Sequence, residues 1–185
     1  MDNNAGLYFH IPFCKNKCPY CDFFSVKYNA ECANKYADKL VGEMKKYDGI
    51  FDTVYFGGGT PSILESDLIC RILSEARAAF TILPESEITI ECNPSKNLYD
   101  DFAVDSERFA LGRAAGKKEV VAAIDGAKNA GIENISLDLM IGTPKQTLAS
   151  LEETFDFIDK TNVKHISAYM LKIESGTKFF EICSI

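Results

Sequence analysis

Ile135-Ser136-Leu137-Asp138-Leu139-Met140-Ile141 alternates as a strand does, and its two faces differ. One face carries Ile135, Leu137, Leu139 and Ile141; the other carries Ser136, Asp138 and Met140. Ile88-Thr89-Ile90-Glu91-Cys92 repeats the pattern, with Thr89 and Glu91 opposite Ile88, Ile90 and Cys92. A parallel strand covered on both sides is normally apolar throughout. A carboxylate on one face of each strand therefore points to a curled sheet with a polar lumen that holds a ligand. Sites in such barrels lie at the C-terminal ends of the strands. On pattern alone, a solvated edge strand remains the alternative.

The neighbouring segments alternate in the same way. Residues 6–12 form a short β-type run. Residues 31–47 read as a helix, because Ala33, Tyr36, Ala37, Leu40, Val41 and Met44 recur at helical spacing. Residues 53–56 form a strand cut off by Gly57, Gly58 and Gly59. Leu68, Ile69, Ile72, Leu73, Ala76 and Ala79 make the stripe of a helix over 66–80. Strand 88–92 stops at Asn93-Pro94. Helix 117–130 ends at Gly131, strand 135–141 at Gly142. A helix over 148–160 and a strand over 165–173 follow. Repeated βα units make a parallel sheet. The predicted fold is α/β, a partial parallel barrel of about five strands with outer helices. Residues 95–116 hold no convincing strand, so the alternation loses one there.

The chain has 185 residues, a formal charge of −7 and 46% hydrophobic residues. That length predicts one domain and buries roughly 70% of the unfolded surface. A pI near 4.9 lacks the basic footprint of a nucleic-acid binder. The longest apolar runs are only a few residues, so no membrane span is expected. Residues 1–6 carry no export signal, which makes the cytoplasm the expected compartment, where thiols stay reduced.

Three of the seven cysteines, Cys14, Cys18 and Cys21, crowd into eight residues. The other four, Cys32, Cys70, Cys92 and Cys183, read as small buried hydrophobes. Cys14-x3-Cys18-x2-Cys21 offers three thiolates on one loop. They can hold three irons of a 4Fe–4S cluster and leave the fourth open. An open iron can chelate the amino and carboxylate groups of S-adenosylmethionine. The reduced cluster can then pass an electron to the sulfonium and release a 5′-deoxyadenosyl radical. Tyr20 is an aromatic suited to lie against the adenine.

Two rivals remain on spacing alone. Cys18-Pro19-Tyr20-Cys21 is a dithiol motif of redox proteins, which leaves Cys14 without a part. His10 with the three cysteines would make a tetrahedral zinc set, although its place within a β-run suits a structural histidine better. The second loop is Gly57-Gly58-Gly59-Thr60-Pro61-Ser62. Consecutive glycines let backbone approach a ligand, and their N–H and C=O groups can bind an amino-acid head group. No Lys-Ser/Thr follows, so it is not a P-loop, and Ser62 breaks the dinucleotide fingerprint. A flexible turn is its plain alternative.

These motifs occur together and in order. Leu7-Tyr8-Phe9-His10-Ile11-Pro12-Phe13-Cys14, the cysteine spacing, the run from Val54 to Ser62, Glu91-Cys92-Asn93-Pro94, Leu111-Gly112-Arg113, the run from Asp138 to Thr147, and His165-Ile166-Ser167-Ala168-Tyr169 follow one another along the chain. Their combination resembles the oxygen-independent coproporphyrinogen III oxidase-like family of the radical SAM superfamily. The resemblance implies a radical SAM core domain over residues 1–185, incomplete, without the family's C-terminal domain. It implies that Cys14, Cys18 and Cys21 ligate the cluster. It assigns Tyr8, Gly58 and Glu91 to one S-adenosylmethionine. Tyr20, Gly59, Thr60, Arg113 and Asp138 match further cofactor contacts, some of them to a second molecule.

The true oxidases carry another cysteine two residues past the third ligand, and Phe23 stands there in this chain. The Cys21-Asp22-Phe23 form is similar to the HemW-type haem chaperones. That similarity implies a role in haem or porphyrin metabolism, with haem as a ligand, a haem-acceptor protein as partner and a low-potential electron donor. Coproporphyrinogen III oxidation, a non-catalytic shortened relative and a dithiol oxidoreductase at Cys18 and Cys21 are the alternatives. The family has a further strand between its Asn-Pro and Leu-Gly-Arg motifs, and residues 95–110 are too short for it. Ala115 replaces a family histidine. A missing strand would make its neighbours pair directly, or leave buried backbone groups unpaired at roughly 1–3 kcal/mol each.

Overall fold

A computed structural model describes residues 5–94 and 116–183. Contacts divide the chain into two compact units: Met1–Lys17 with Phe23–Asn93, and Cys18–Asp22 with Pro94–Ile185.

The first unit contains β1 (Ala5–Ile11), β2 (Phe13–Cys14), β3 (Val26–Lys27), α1 (Ala30–Met44), β4 (Ile50–Gly58), a 3-10 turn (Pro61–Ile63), α2 (Ser66–Ala79) and β5 (Thr81–Ile90). The sheet runs β1-β4-β5, all parallel, and β2 pairs with β3. Phe9 and Ile11 of β1 share a face with Val54 and Phe56 of β4, and all four are buried. The Phe9 and Phe56 rings meet at 5.0 Å. Ala33, Ala37 and Met44 of α1 and Leu68, Ile72 and Ala76 of α2 close that core from above. These are the stripes read from the sequence. Asn29 starts α1, its side chain accepting from the Cys32 amide at 3.0 Å, one of the donors a helix leaves unpaired.

Strand β5 begins seven residues before the predicted one. Its register against β4 jumps from Phe51↔Ile82 to Thr53↔Glu87, so residues 83–86 bulge opposite Asp52 alone. Pro84 has no N–H to give a ladder, and a bulge is where a strand tolerates it. Ser86 donates to the Phe51 carbonyl at 3.1 Å and satisfies that acceptor. Cys32, Cys70 and Cys92 are exposed, which corrects the expectation that they are buried. Cys32 and Cys70 sit off the helix stripes, and Cys92 lies beyond the end of β5. The side chain of Cys183 lies outside the description.

The second unit contains α3 (Lys117–Asn129), β6 (Ser136–Ile141), α4 (Leu148–Thr161), β7 (His165–Met170) and α5 (Lys178–Cys183). β6 and β7 pair in parallel, with Ser136 opposite His165 and Asp138 opposite Ser167. Ile124, Leu139 and Ile158, one from each of α3, β6 and α4, are buried. Helix α4 opens on a reciprocal cap: Ser150 N donates to Thr147 Oγ1 at 3.1 Å, and Thr147 N to Ser150 Oγ at 2.9 Å. Gly131 follows α3 with φ +83°, the left-handed stop expected there. β1, β4 and β5 run parallel within their sheet, and β6 and β7 within theirs; among the described residues the sheets contain three, two and two strands. The predicted loss of a strand at 95–110, the Leu111-Gly112-Arg113 motif and Ala115 lie outside the described residues.

Candidate cofactor site

The face of the first sheet opposite its core carries polar and aromatic groups. Tyr8 of β1, Tyr55 of β4 and Thr89 of β5 stand side by side in register. The rings of Tyr8 and Tyr55 stack at 5.8 Å. Glu91 follows the end of β5, and its amide extends the ladder to the Phe56 carbonyl at 3.0 Å. This brings its carboxylate back over β4. Oε1 accepts from the Tyr55 hydroxyl at 2.9 Å, and Oε2 accepts from the Gly58 amide at 3.1 Å. Burial, and then the Glu91 carboxylate, push the Tyr8 hydroxyl above the ordinary tyrosine value, so Tyr8 presents a neutral hydroxyl at pH 7.

His10 continues this face. Its Nε2 lies 3.3 Å from the Phe24 carbonyl, which can only accept, so Nε2 carries the proton. Nδ1 lies 3.5 Å from the Tyr8 hydroxyl. Both nitrogens are engaged, which suits the structural reading of His10 and not the zinc reading. Gly58 has φ +113°, and a Cβ there would stand 2.7 Å from the His10 ring. Only glycine can hold that amide against Glu91.

The cysteine loop starts at the end of β2. Val26 N donates to the Pro12 carbonyl at 2.7 Å and Tyr28 N to the Cys14 carbonyl at 2.9 Å. Lys17 Nζ reaches the Phe23 carbonyl at 3.0 Å. Cys14 Sγ lies 3.6 Å from Thr60 Oγ1. Cys18 and Cys21 share a turn in which Cys21 N donates to the Cys18 carbonyl at 3.1 Å. The Tyr20 ring stands 6.2 Å from Phe179, whose amide donates to the Pro19 carbonyl. Helix α5, absent from the sequence reading, is thus what Tyr20 packs on. None of the three is held in a disulfide, and all are partly exposed. Three cysteine thiols within eight residues are the donor set an iron–sulfur cluster requires. Among the described residues, no three His, Cys, Asp or Glu side chains are already gathered as metal ligands.

The structure thus brings Tyr8, Gly58 and Glu91 together, and places Thr60 beside Cys14. Asp138 is exposed on β6, beside Ser167 in register. Arg113 lies outside the described residues. Sequence reasoning missed Tyr55, whose hydroxyl holds Glu91. Its signal was present: Tyr55 precedes Gly57 by two residues and so shares a face with the glycine loop.

Residues 8–106 match the family model of the Radical SAM superfamily. The chain belongs to that superfamily. It is 32% identical over 198 residues to the "Heme chaperone HemW" of Buchnera aphidicola subsp. Schizaphis graminum, across 95% of this chain and 52% of that protein. To the Escherichia coli K12 "Heme chaperone HemW" it is 32% identical over 198 residues, across 94% and 52%. To that of Bacillus subtilis it is 29% identical over 200 residues, across 96% and 53%. The chain spans about half the length of the curated relatives it matches. Among solved structures, coproporphyrinogen III oxidase (HemN) from Escherichia coli, described as a radical SAM enzyme, superposes with a TM-score of 0.82. The identity is 23%, over 91% of this chain and 44% of that one. This likeness shows the fold, the parallel α/β architecture of the radical SAM type expected from the sequence. Among the described residues, no helix is long and apolar enough to cross a membrane.

Proposed function

We propose that the chain is the cluster-binding and S-adenosylmethionine-binding portion of a HemW-like haem chaperone, acting in haem or porphyrin metabolism in the cytoplasm. One observation carries the reading: a carboxylate, Glu91, is docked on the Gly58 amide at the ends of the strands. A backbone ladder joins the same glycine loop to the segment that bears Cys14. Cys14, Cys18 and Cys21 would hold a 4Fe–4S cluster by three of its irons. The bound cluster supplies an open iron and a low-potential electron. Tyr8, Gly58 and Glu91 bind one S-adenosylmethionine, Glu91 accepting from a ribose hydroxyl or an ammonium group. Tyr20, Gly59, Thr60 and Asp138 add contacts, as does Arg113. Haem is the ligand this reading takes from the relatives named "Heme chaperone HemW"; a haem-acceptor protein and a low-potential electron donor are the partners it adds.

The test uses the reconstituted chain. Haem is titrated against it by absorbance, and the loaded chain is then mixed with an apo-haemoprotein. Saturable haem binding followed by transfer is expected. Absence of haem binding, with decarboxylation of coproporphyrinogen III in its place, would overturn the chaperone reading in favour of the oxidase.

A further inference from the structure

The glycine loop is bonded, backbone to backbone, to the segment leading into Cys14. Gly59 N donates to the Ile11 carbonyl and Thr60 N to the Phe13 carbonyl, both at 2.8 Å. A Cβ on Gly59 would stand 2.7 Å from the Phe13 oxygen and 3.0 Å from both the Ile11 oxygen and the Phe13 nitrogen. All three are backbone atoms, and both oxygens accept the bonds that join the two segments, so none can yield cheaply. The missing side chain is what lets the two segments meet. Their approach carries Thr60 Oγ1 to 3.6 Å from Cys14 Sγ in a partly buried contact. Thr60 immediately precedes the 3-10 turn, yet its hydroxyl makes no capping bond to it. A cysteine that ligates iron does so as the thiolate. A thiolate has no proton to give, so in that state the Thr60 hydroxyl must donate.

We propose that Thr60, held in place by Gly59, is a positioning residue for Cys14 whose hydrogen bond to the Cys14 sulfur sets the reduction potential of the cluster. This rests on the cluster reading of Cys14, Cys18 and Cys21. Hydrogen bonds to cluster sulfurs are among the factors that set the potential. A donor stabilises the more negative, reduced state more than the oxidised one, and so raises it.

Wild type, Thr60→Val and Thr60→Ser are reconstituted anaerobically and assayed for iron and sulfide. Each is then titrated with a reductant at known potentials while EPR follows the reduced cluster. Valine keeps the shape and removes the donor. Its reduced-to-oxidised ratio at a fixed potential should fall about tenfold, equal to about 59 mV for one electron. Serine keeps the donor and should titrate with the wild type. Equal midpoints for wild type and Thr60→Val, at equal iron content, would overturn the inference and leave the cluster reading intact. A wild-type chain that takes up no cluster would overturn both. If Thr60→Val holds no cluster, Thr60→Ala against Thr60→Ser decides: a lowered alanine midpoint supports the inference, and an alanine midpoint at the wild-type value overturns it.

Discussion

Glu91 has two donors aimed at its carboxylate, the Tyr55 hydroxyl and the Gly58 amide. A carboxylate fixed by two donors is oriented before any ligand arrives, and that orientation costs nothing further on binding. Tyr55→Phe removes one donor and leaves the ring stacked on Tyr8. The affinity of the reconstituted chain for S-adenosylmethionine should fall roughly fivefold, or about 1 kcal/mol, by equilibrium binding, with iron content unchanged. Unchanged affinity would mean that Glu91 needs no help from Tyr55. Gly59→Ala acts differently, because its Cβ meets fixed backbone. It should reduce iron uptake on reconstitution, which an iron assay reads directly. Much of this site was legible in the sequence, since Glu91 and the glycine loop stand where two strands end. Tyr55 carried a signal, two residues before Gly57, but its role was not legible, because it meets Glu91 only once β4 and β5 are set in register.

At the scale of elements, the core between the first sheet and helices α1 and α2 carries the first unit. Phe56 is 1% exposed and packs on Phe9. Phe56→Ala should cost about 3–5 kcal/mol in a denaturant titration. Tyr36 ties α1 to β1 by donating to the His10 carbonyl at 2.5 Å. Tyr36→Phe should cost about 1 kcal/mol. Burial, and then Tyr8, raise the Tyr36 hydroxyl above the ordinary tyrosine value of 10.0. The folded state therefore holds that proton more tightly than the unfolded chain does. Its contribution to stability is complete below the ordinary value and is lost as pH rises through the higher, folded one. Denaturation followed upward from about pH 9 should fall less steeply in Tyr36→Phe than in the wild type. Helices α1 and α2 were legible because their apolar stripes repeat at three and four residues. The early start of β5 was hidden by Pro84, which reads as a breaker and is accommodated by a bulge. Helix α5 spans only six residues, too few to display a period.

At the scale of the whole molecule, the parallel order of strands was read from the alternation of βα units, and both long sheets bear it out. The division of contacts into two units was not legible, because nothing in composition marks it. At the cysteine loop the rival readings differ sharply. Cys14→Ala should abolish cluster uptake, whereas a dithiol enzyme at Cys18 and Cys21 would keep its activity. The most direct measurement is anaerobic reconstitution of the wild-type chain with iron and sulfide, followed by EPR of the reduced protein with and without S-adenosylmethionine. About four irons and four sulfides per chain are expected, with a spectrum that changes when S-adenosylmethionine is added. A chain that holds zinc or a titratable dithiol instead, or a cluster whose spectrum ignores S-adenosylmethionine, would contradict that expectation.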